Sequence, residues 1–128
     1  IRIMTTINHE YYVSSEIAKL LKEAGFDWEI KTFYFNNELG ETMLGDAKNH
    51  NFSNQFISAP TLAVAQQWLR EVKNVDVFAY RNEPKDKFES IVSFNKKWST
   101  TGMCINTYEE ALETAIKKAL EMILDKGE

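Results

Sequence analysis

Apolar residues recur at the spacing of an α-helix in three stretches of the chain. They predict helices over residues 15–24, 61–73 and 107–124. Ser14 or Ser15 can cap the exposed amides at the start of the first helix, and Gly25 stands where a left-handed residue commonly ends one. Each of these helices has one apolar side, which needs a surface to cover.

The second helix carries a tryptophan at the border of its apolar stripe. Pro60 favours an extended residue before the helix, and Thr61 is placed to cap its first turn. Trp68 lies beside Val72 at the edge of the stripe, so its ring either covers the core or serves as an anchor for another chain. Because tryptophan is usually mostly buried, and the polar flank offers no neighbouring anchor residues, we predict that Trp68 is buried within its own chain.

Two carboxylates at the start of the last helix have a structural interpretation. Thr107 and Glu110 form a capping-box pattern, in which each side chain binds the exposed amide of the other residue. Carboxylates in a first turn, Glu109 included, also face the positive end of the helix dipole. We therefore assign Glu109 and Glu110 to capping rather than to a pair of catalytic acids.

Four stretches are rich in aromatic and β-branched residues and predict strands over residues 28–35, 75–81, 87–95 and 98–105. The polar segment NEPKD joins the second and third of these as a hairpin. In the first, Phe33 and Phe35 share a face with charged residues before them, which indicates a strand passing from a solvated region into a covered one. Residues 36–55 are polar and lack periodicity, so they predict a long loop with one weak strand at 41–44.

The elements follow the order α-β-(β)-α-β-β-β-α, which predicts an α+β fold. We expect an antiparallel sheet of about four strands, including 75–81 and 88–95, with all three helices packed on one face. A length of 128 residues fits a single domain over residues 1–128.

The composition disfavours several classes of partner and setting. A formal net charge of −4 argues against sequence-independent nucleic-acid binding and against attachment to an anionic membrane, since both need clustered cations. No apolar run approaches the roughly 20 residues of a membrane span, and the first residues lack a secretory signal pattern. Cys104 is the single cysteine and cannot form an internal disulfide, so we expect a reduced, cytoplasmic setting. The glycosylation sequon at Asn51 is then a chance match.

Few residues offer chemistry. His9 and Glu10 begin like a zinc-protease HExxH motif, but Val13 stands where the second histidine belongs. His9 and His50 are far apart in sequence, and we interpret each as a surface residue. Cys104 lies in a predicted strand, which favours a buried, inert thiol over a nucleophile. We assign no catalytic, cofactor-binding or metal-ligating residue and expect no cofactor.

The aromatic residues of the predicted strands allow two interpretations. They could stack on the bases of single-stranded RNA, or they could fill an ordinary core. Only Lys31, Arg81 and Lys87 accompany them, whereas RNA platforms are surrounded by cations, so the core interpretation is favoured. The residues concerned are Phe33, Tyr34, Phe35, Phe78, Tyr80, Phe88 and Phe94.

Three segments, VSSEIAKLLKEAGFDWE, SAPTLAVAQQWLREV and the C-terminal TYEEALETAIKKALEMI, together resemble a family of small proteins from gut Bacteroides-type bacteria and their phages or prophages. The match covers most of the chain in order, and APTL…WLRE is its most distinctive part. The resemblance implies an origin on mobile DNA, and the family brings no assigned activity with it.

Residues 75–124 show a weaker, partial similarity to HicB-type antitoxins. Three strands, the third holding Gly102 and Cys104, precede TYEEALETAIKKAL, as in the strand-strand-strand-helix core of that family, but STTGMC replaces the common Leu-Pro-Gly-Cys run. With the preceding helix, the segment has the element order of a double-stranded RNA-binding domain. That domain places lysines at the start of its last helix, where Glu109 and Glu110 would here repel phosphates.

These observations lead to three functional hypotheses. The first is a non-catalytic accessory protein of phage or prophage type that acts through an unidentified protein partner or as a homodimer. The second is a HicB-like antitoxin or regulator that binds a small toxin protein. The third and least supported is a small hydrolase that uses Cys104 or a histidine. None of the three involves a membrane, and we expect no nucleic-acid partner.

Overall fold

The structure is a computed structural model that describes residues 11–100 and 105–126, with only the backbone of Glu38, Leu39, Glu41 and Lys126. Its helices are α1 (Ser15–Ala24), α2 (Leu62–Val72) and α3 (Tyr108–Lys126). Its strands are β1 (Ile30–Phe35), β2 (Glu38–Lys48), β3 (Phe56–Ser58), β4 (Asp76–Asn82), β5 (Lys87–Phe94) and β6 (Lys97–Thr100). Two short 3-10 helices, η1 (His50–Phe52) and η2 (Glu83–Lys85), lie between strands.

All three predicted helices are confirmed; each begins beside a capping residue that the sequence indicates, and α1 ends at the predicted Gly25. A side-chain oxygen caps the start of each helix by accepting a hydrogen bond from the amide three residues further on; the capping residues are Ser14, Thr61 and Thr107. Gly25 ends α1 in the left-handed region with a φ of 100°. No helix within the described ranges is long and apolar enough to cross a membrane.

The strands form two antiparallel sheets of three strands each, so the prediction of one sheet of about four strands was wrong. In the first sheet β1 lies between β2 and β3, and in the second β5 lies between β4 and β6. The predicted strands at 28–35, 75–81, 87–95 and 98–105 correspond to β1, β4, β5 and β6, the last with shorter described bounds. The error arose because β1 pairs with two strands that have no clear pattern of their own.

The polar segment 36–55, predicted as a long loop with one weak strand at 41–44, consists largely of the short helix η1 and of strand β2, which contains that stretch. β2 pairs with β1 along an irregular register, with shifts between Ile30 and Thr32 and between Phe33 and Phe35. Most of the described residues of β2 are exposed, so the strand needs no alternating apolar pattern. Its strand conformation therefore depends on the backbone hydrogen bonds to β1.

α2 and α3 contact each other and pack on the second sheet, where Val77 and Val92 join the main core. α1 packs instead on α3 and on β3. The prediction that all three helices cover one face of the sheet was therefore wrong for α1. The reason is β3, a strand that the sequence did not reveal and that provides α1 with a surface of its own.

Trp68 is buried within its own chain, as predicted, with only 1% of its surface exposed. Its ring meets the ring of Phe26 edge-on, with 5.4 Å between the centroids. Phe26 follows the glycine that ends α1, and its amide bonds back to Leu21 O at 2.9 Å. The end of α1 and the middle of α2 are thus joined through this pair of rings.

Candidate interaction surface

Each sheet carries aromatic residues on the face that points away from the main core. Side chains alternate along a strand, so the neighbours of core residues point to the opposite face. In the first sheet, Tyr34 and Ile57 are core residues. Their neighbours on the strands, together with His50 of η1, form a cluster that we call the closed aromatic face: Phe33, Phe35, His50 and Phe56. In the second sheet, the corresponding cluster is the open aromatic face: Phe78, Tyr80, Ile91 and Trp98.

The rings of the closed aromatic face cover one another. His50 stacks on Phe33 with 4.6 Å between the ring centroids and 28° between the planes. Phe56 meets Phe33 edge-on at 4.9 Å, and Phe35 lies 5.6 Å from Phe56. His50 is only 2% exposed as a result, so the interpretation of His50 as a surface residue was wrong.

The contacts of His50 fit a packing role. Its Nε2 lies 3.1 Å from Asp46 O and donates to that carbonyl when the proton is on Nε2. Gly45 lets the rings of Phe33 and His50 pack close to the backbone of β2. A Cβ at this position would lie 3.1 Å from Phe33 Cε1 and 3.7 Å from His50 Cε1. In the described part of the chain, no three His, Cys, Asp or Glu side chains come together as a metal ion requires. His9 and Cys104, the other candidates for chemistry, lie outside the described residues.

Two polar side chains hold the segment that covers the closed aromatic face. Lys22 of α1 donates from Nζ to two backbone carbonyls around this segment, at 2.9 and 2.8 Å. The Asn51 amide donates to Phe26 O at 2.9 Å and accepts from Ser58 N at 2.8 Å. The amide nitrogen that a glycan would need at the Asn51 sequon is therefore already bonded within the protein.

Among the described residues no segment covers the open aromatic face in this way, and its largest ring meets solvent. Trp98 is 66% exposed and Tyr80 is 43% exposed. Phe78 meets Trp98 edge-on with 5.5 Å between centroids, and Ile91 pairs with Phe78 across β4 and β5. Ile91 is itself buried, so the exposed rings surround an apolar centre.

A polar group lies directly beside this apolar centre. The Tyr80 hydroxyl donates to Glu89 Oε1 at 2.7 Å, and Asn82 Nδ2 donates to Glu89 Oε2 at 2.6 Å. These bonds, that of Tyr80 first, hold the pKa of the Glu89 carboxyl below its ordinary value. An apolar centre with polar groups at its edge is the usual anatomy of a protein interface.

The aromatic residues predicted as core thus divide among several environments. Tyr34 belongs to the core, Phe94 packs against it, and Phe88 meets Tyr108 of α3 edge-on at 6.0 Å. Phe78 and Tyr80 do not belong to the core. Trp98, which was not among the aromatic residues singled out from the sequence, lies on the same face as these two. The strand register brings these residues together. Trp98 pairs with Ser93, and both lie on the same face of the sheet as Phe78.

Comparison of the chain with protein-family models, with curated proteins and with solved structures finds no match in any of the three.

Proposed function

We propose that this chain is a non-catalytic accessory protein, of the phage or prophage type that the family resemblance implies, and that it binds another protein through the open aromatic face. The observation that carries the proposal is the 66% exposure of Trp98 on a regular strand. Tryptophan and tyrosine are enriched among the residues that dominate binding energy. Contiguous exposed apolar patches on soluble proteins commonly mark binding sites.

The size of the face indicates what kind of contact it can make. Three strands about 4.8 Å apart, over roughly five residues of about 3.4 Å each, offer on the order of 200 Å². A stable complex buries about 800 Å² on each partner. The open aromatic face is therefore proposed as the central part of a larger contact, with Trp98 as its main anchor.

The charges near the face favour a protein partner over nucleic acid. Asp76 and Glu89 point to the same side of the sheet as Trp98, by the strand register. Lys96 and Lys97 lie at one end of the face, in and beside the turn between β5 and β6. Mixed charges of this kind suit the edge of a protein interface, whereas phosphates need an excess of cations.

The test compares affinity capture from the native host by the wild-type chain and by the Trp98→Ser variant. Phe52→Ser is the matched control, because Phe52 is an aromatic residue 89% exposed in η1, on the other sheet's side of the chain. We expect the same partner to be captured by the wild type and by Phe52→Ser, and to be lost with Trp98→Ser. Capture that is equal in all three proteins would contradict the proposed surface.

The same three proteins test self-association. Light scattering after size-exclusion chromatography gives the mass of each in solution. A dimer that is present in the wild type and in Phe52→Ser, and absent in Trp98→Ser, would identify the partner as a second copy of the chain. A dimer unaffected by Trp98→Ser would place the self-contact on another surface.

A second candidate function is a HicB-like antitoxin or regulator that binds a small toxin protein. It is supported by the second sheet, in which β4, β5 and β6 are neighbours in sequence order and α3 packs on β4 and β5. This is the strand-strand-strand-helix order of the partial resemblance. Co-expression of this chain with the product of each adjacent gene tests it. Restored growth of cells that express a toxic product supports this function. The absence of a toxic product among the adjacent genes argues against it.

A further inference from the structure

A second surface feature, separate from the open aromatic face, lies at one end of the first sheet. The turn between β1 and β2 faces the segment that leads into β3, and a concavity of about 540 Å³ lies between them. This volume is within the range of roughly 300–1,000 Å³ that is usual for small-molecule sites. The described residues that line it are Phe35, Asn36, Asn37, Asn54 and Gln55, and we call it the amide cleft.

The two walls of the amide cleft are tied together by hydrogen bonds. Asn36 N donates to Gln55 O, and Asn36 Nδ2 donates to Asn54 O, each at 2.8 Å. The wall formed by Asn54 and Gln55 is held in turn by Lys22, which donates to the carbonyls of Ser53 and Phe56 on either side of it. These bonds fix the backbone of both walls before a ligand binds, so that only the exposed side chains need to be ordered on binding.

The lining has a uniform chemistry. Four of the five lining residues carry a neutral primary amide, which offers two donors and one acceptor. Among the described residues, the side-chain amides of Asn37, Asn54 and Gln55 are exposed and have no hydrogen-bond partner, so they can turn towards a ligand. No charged side chain is among the described lining residues, and neutral amides suit a ligand with neutral polar groups.

Phe35 adds an apolar wall to this cleft. Its ring is half-buried and is held by edge contacts to Phe33 and Phe56, each with 5.6 Å between centroids. A ligand that suits the cleft is therefore neutral, rich in groups that both donate and accept hydrogen bonds, and apolar on one side. Sugar rings have this combination, with hydroxyls around the edge and C–H groups on the face. We propose that the amide cleft binds a neutral carbohydrate of one to a few hexose units.

The experiment uses saturation-transfer NMR and titration of the whole chain with three neutral probes: maltohexaose, cellohexaose and mannohexaose. We expect transfer to at least one of them. We also expect affinity to fall about tenfold or more in the Asn37→Ala, Asn54→Ala double variant, as the loss of two neutral hydrogen bonds implies. Gln67→Ala is the matched control, because Gln67 is an exposed amide on α2, away from the cleft, and its side chain donates to Glu71.

The outcomes separate the proposal from its alternatives. Absence of transfer to all three oligosaccharides, or equal affinity in the double variant and the wild type, would overturn it. Tighter binding of a neutral Ser/Asn/Gln hexapeptide than of any oligosaccharide would also overturn it, in favour of a peptide site. Because both substitutions are on exposed residues, the thermal unfolding midpoint of the double variant should match that of the wild type and so show that folding is intact. Neither result depends on Trp98 or on the proposed protein partner.

Discussion

The closed and open aromatic faces both lie on three-stranded antiparallel sheets, on the side away from the main core. They differ in the length of chain that joins their strands. In the first sheet, residues 49–55 connect β2 to β3 and place His50 against Phe33. In the second, β5 is joined to β6 by a two-residue turn of Asn95 and Lys96, both with positive φ.

This difference shows that composition alone does not decide which aromatic residues are covered. Both faces contain rings that meet edge-on at ordinary distances, Phe33 with Phe56 and Phe78 with Trp98. A connection of seven residues can fold back over its own sheet, whereas a two-residue hairpin turn is too short to do so. Within the described residues, no segment returns over Trp98 from the short connection, and its ring is 66% exposed.

The largest expected difference in stability is between substitutions of the two tryptophans, the buried Trp68 and the exposed Trp98. Trp68→Ala should lower the free energy of unfolding by about 3–5 kcal/mol, the usual range for removing a core aromatic side chain. Trp98→Ala should lower it by less than about 1 kcal/mol, as for most exposed positions. Denaturant unfolding of both variants measures the contrast. Similar losses in the two would mean that Trp98 is covered in solution.

The second prediction concerns the segment that covers the closed aromatic face. Lys22→Met removes a charged donor from two backbone carbonyls and should lower the free energy of unfolding by about 1–3 kcal/mol. Lys19→Met, on an exposed position of the same helix, is the control and should change it by less than about 0.5 kcal/mol. Hydrogen exchange of residues 49–56 should accelerate in the Lys22 variant. Unchanged exchange there would argue that the cover does not depend on Lys22.

The smallest effect concerns the polar edge of the open aromatic face. Hydrogen bonds from Tyr80 and then Asn82 lower the pKa of Glu89 in the folded chain. A lowered folded-state pKa contributes stability above the unfolded-state pKa of about 4.3, and this contribution is lost as the pH falls through the lower folded-state value. Glu89→Gln should therefore flatten the fall in stability between pH 5 and the acid range, to a small extent because the group is exposed to solvent.

Urea midpoints of the wild type and of Glu89→Gln across this pH range provide the measurement. Glu83→Gln, an exposed acid in η2, is the control and should leave the slope unchanged. A steeper acid slope in Glu89→Gln than in the wild type would contradict the assigned hydrogen bonds.

The features that the sequence determined by itself are local or periodic. The capping residues Ser14, Thr61 and Thr107 act on amides three residues away, and Gly25 ends α1 through its own φ. The helical period places Trp68 at the edge of an apolar stripe, and its burial could be inferred from the usual burial of tryptophan and from the polar flank beside it. Such signals need no knowledge of the rest of the fold, since the interacting groups lie within one or two turns of the chain.

Only the tertiary structure decided how the strands pair and which rings are covered. β2 has no alternating pattern because most of its described residues are exposed, and its place depends on hydrogen bonds to β1. His50 reads as an isolated polar residue in sequence, yet it is buried because η1 places it on Phe33. Trp98 reads as one more aromatic strand residue, yet the hairpin register directs it outward beside Phe78. Strand pairing joins residues that are distant in sequence, and burial depends on what other segments leave uncovered, so neither can be obtained from the local pattern.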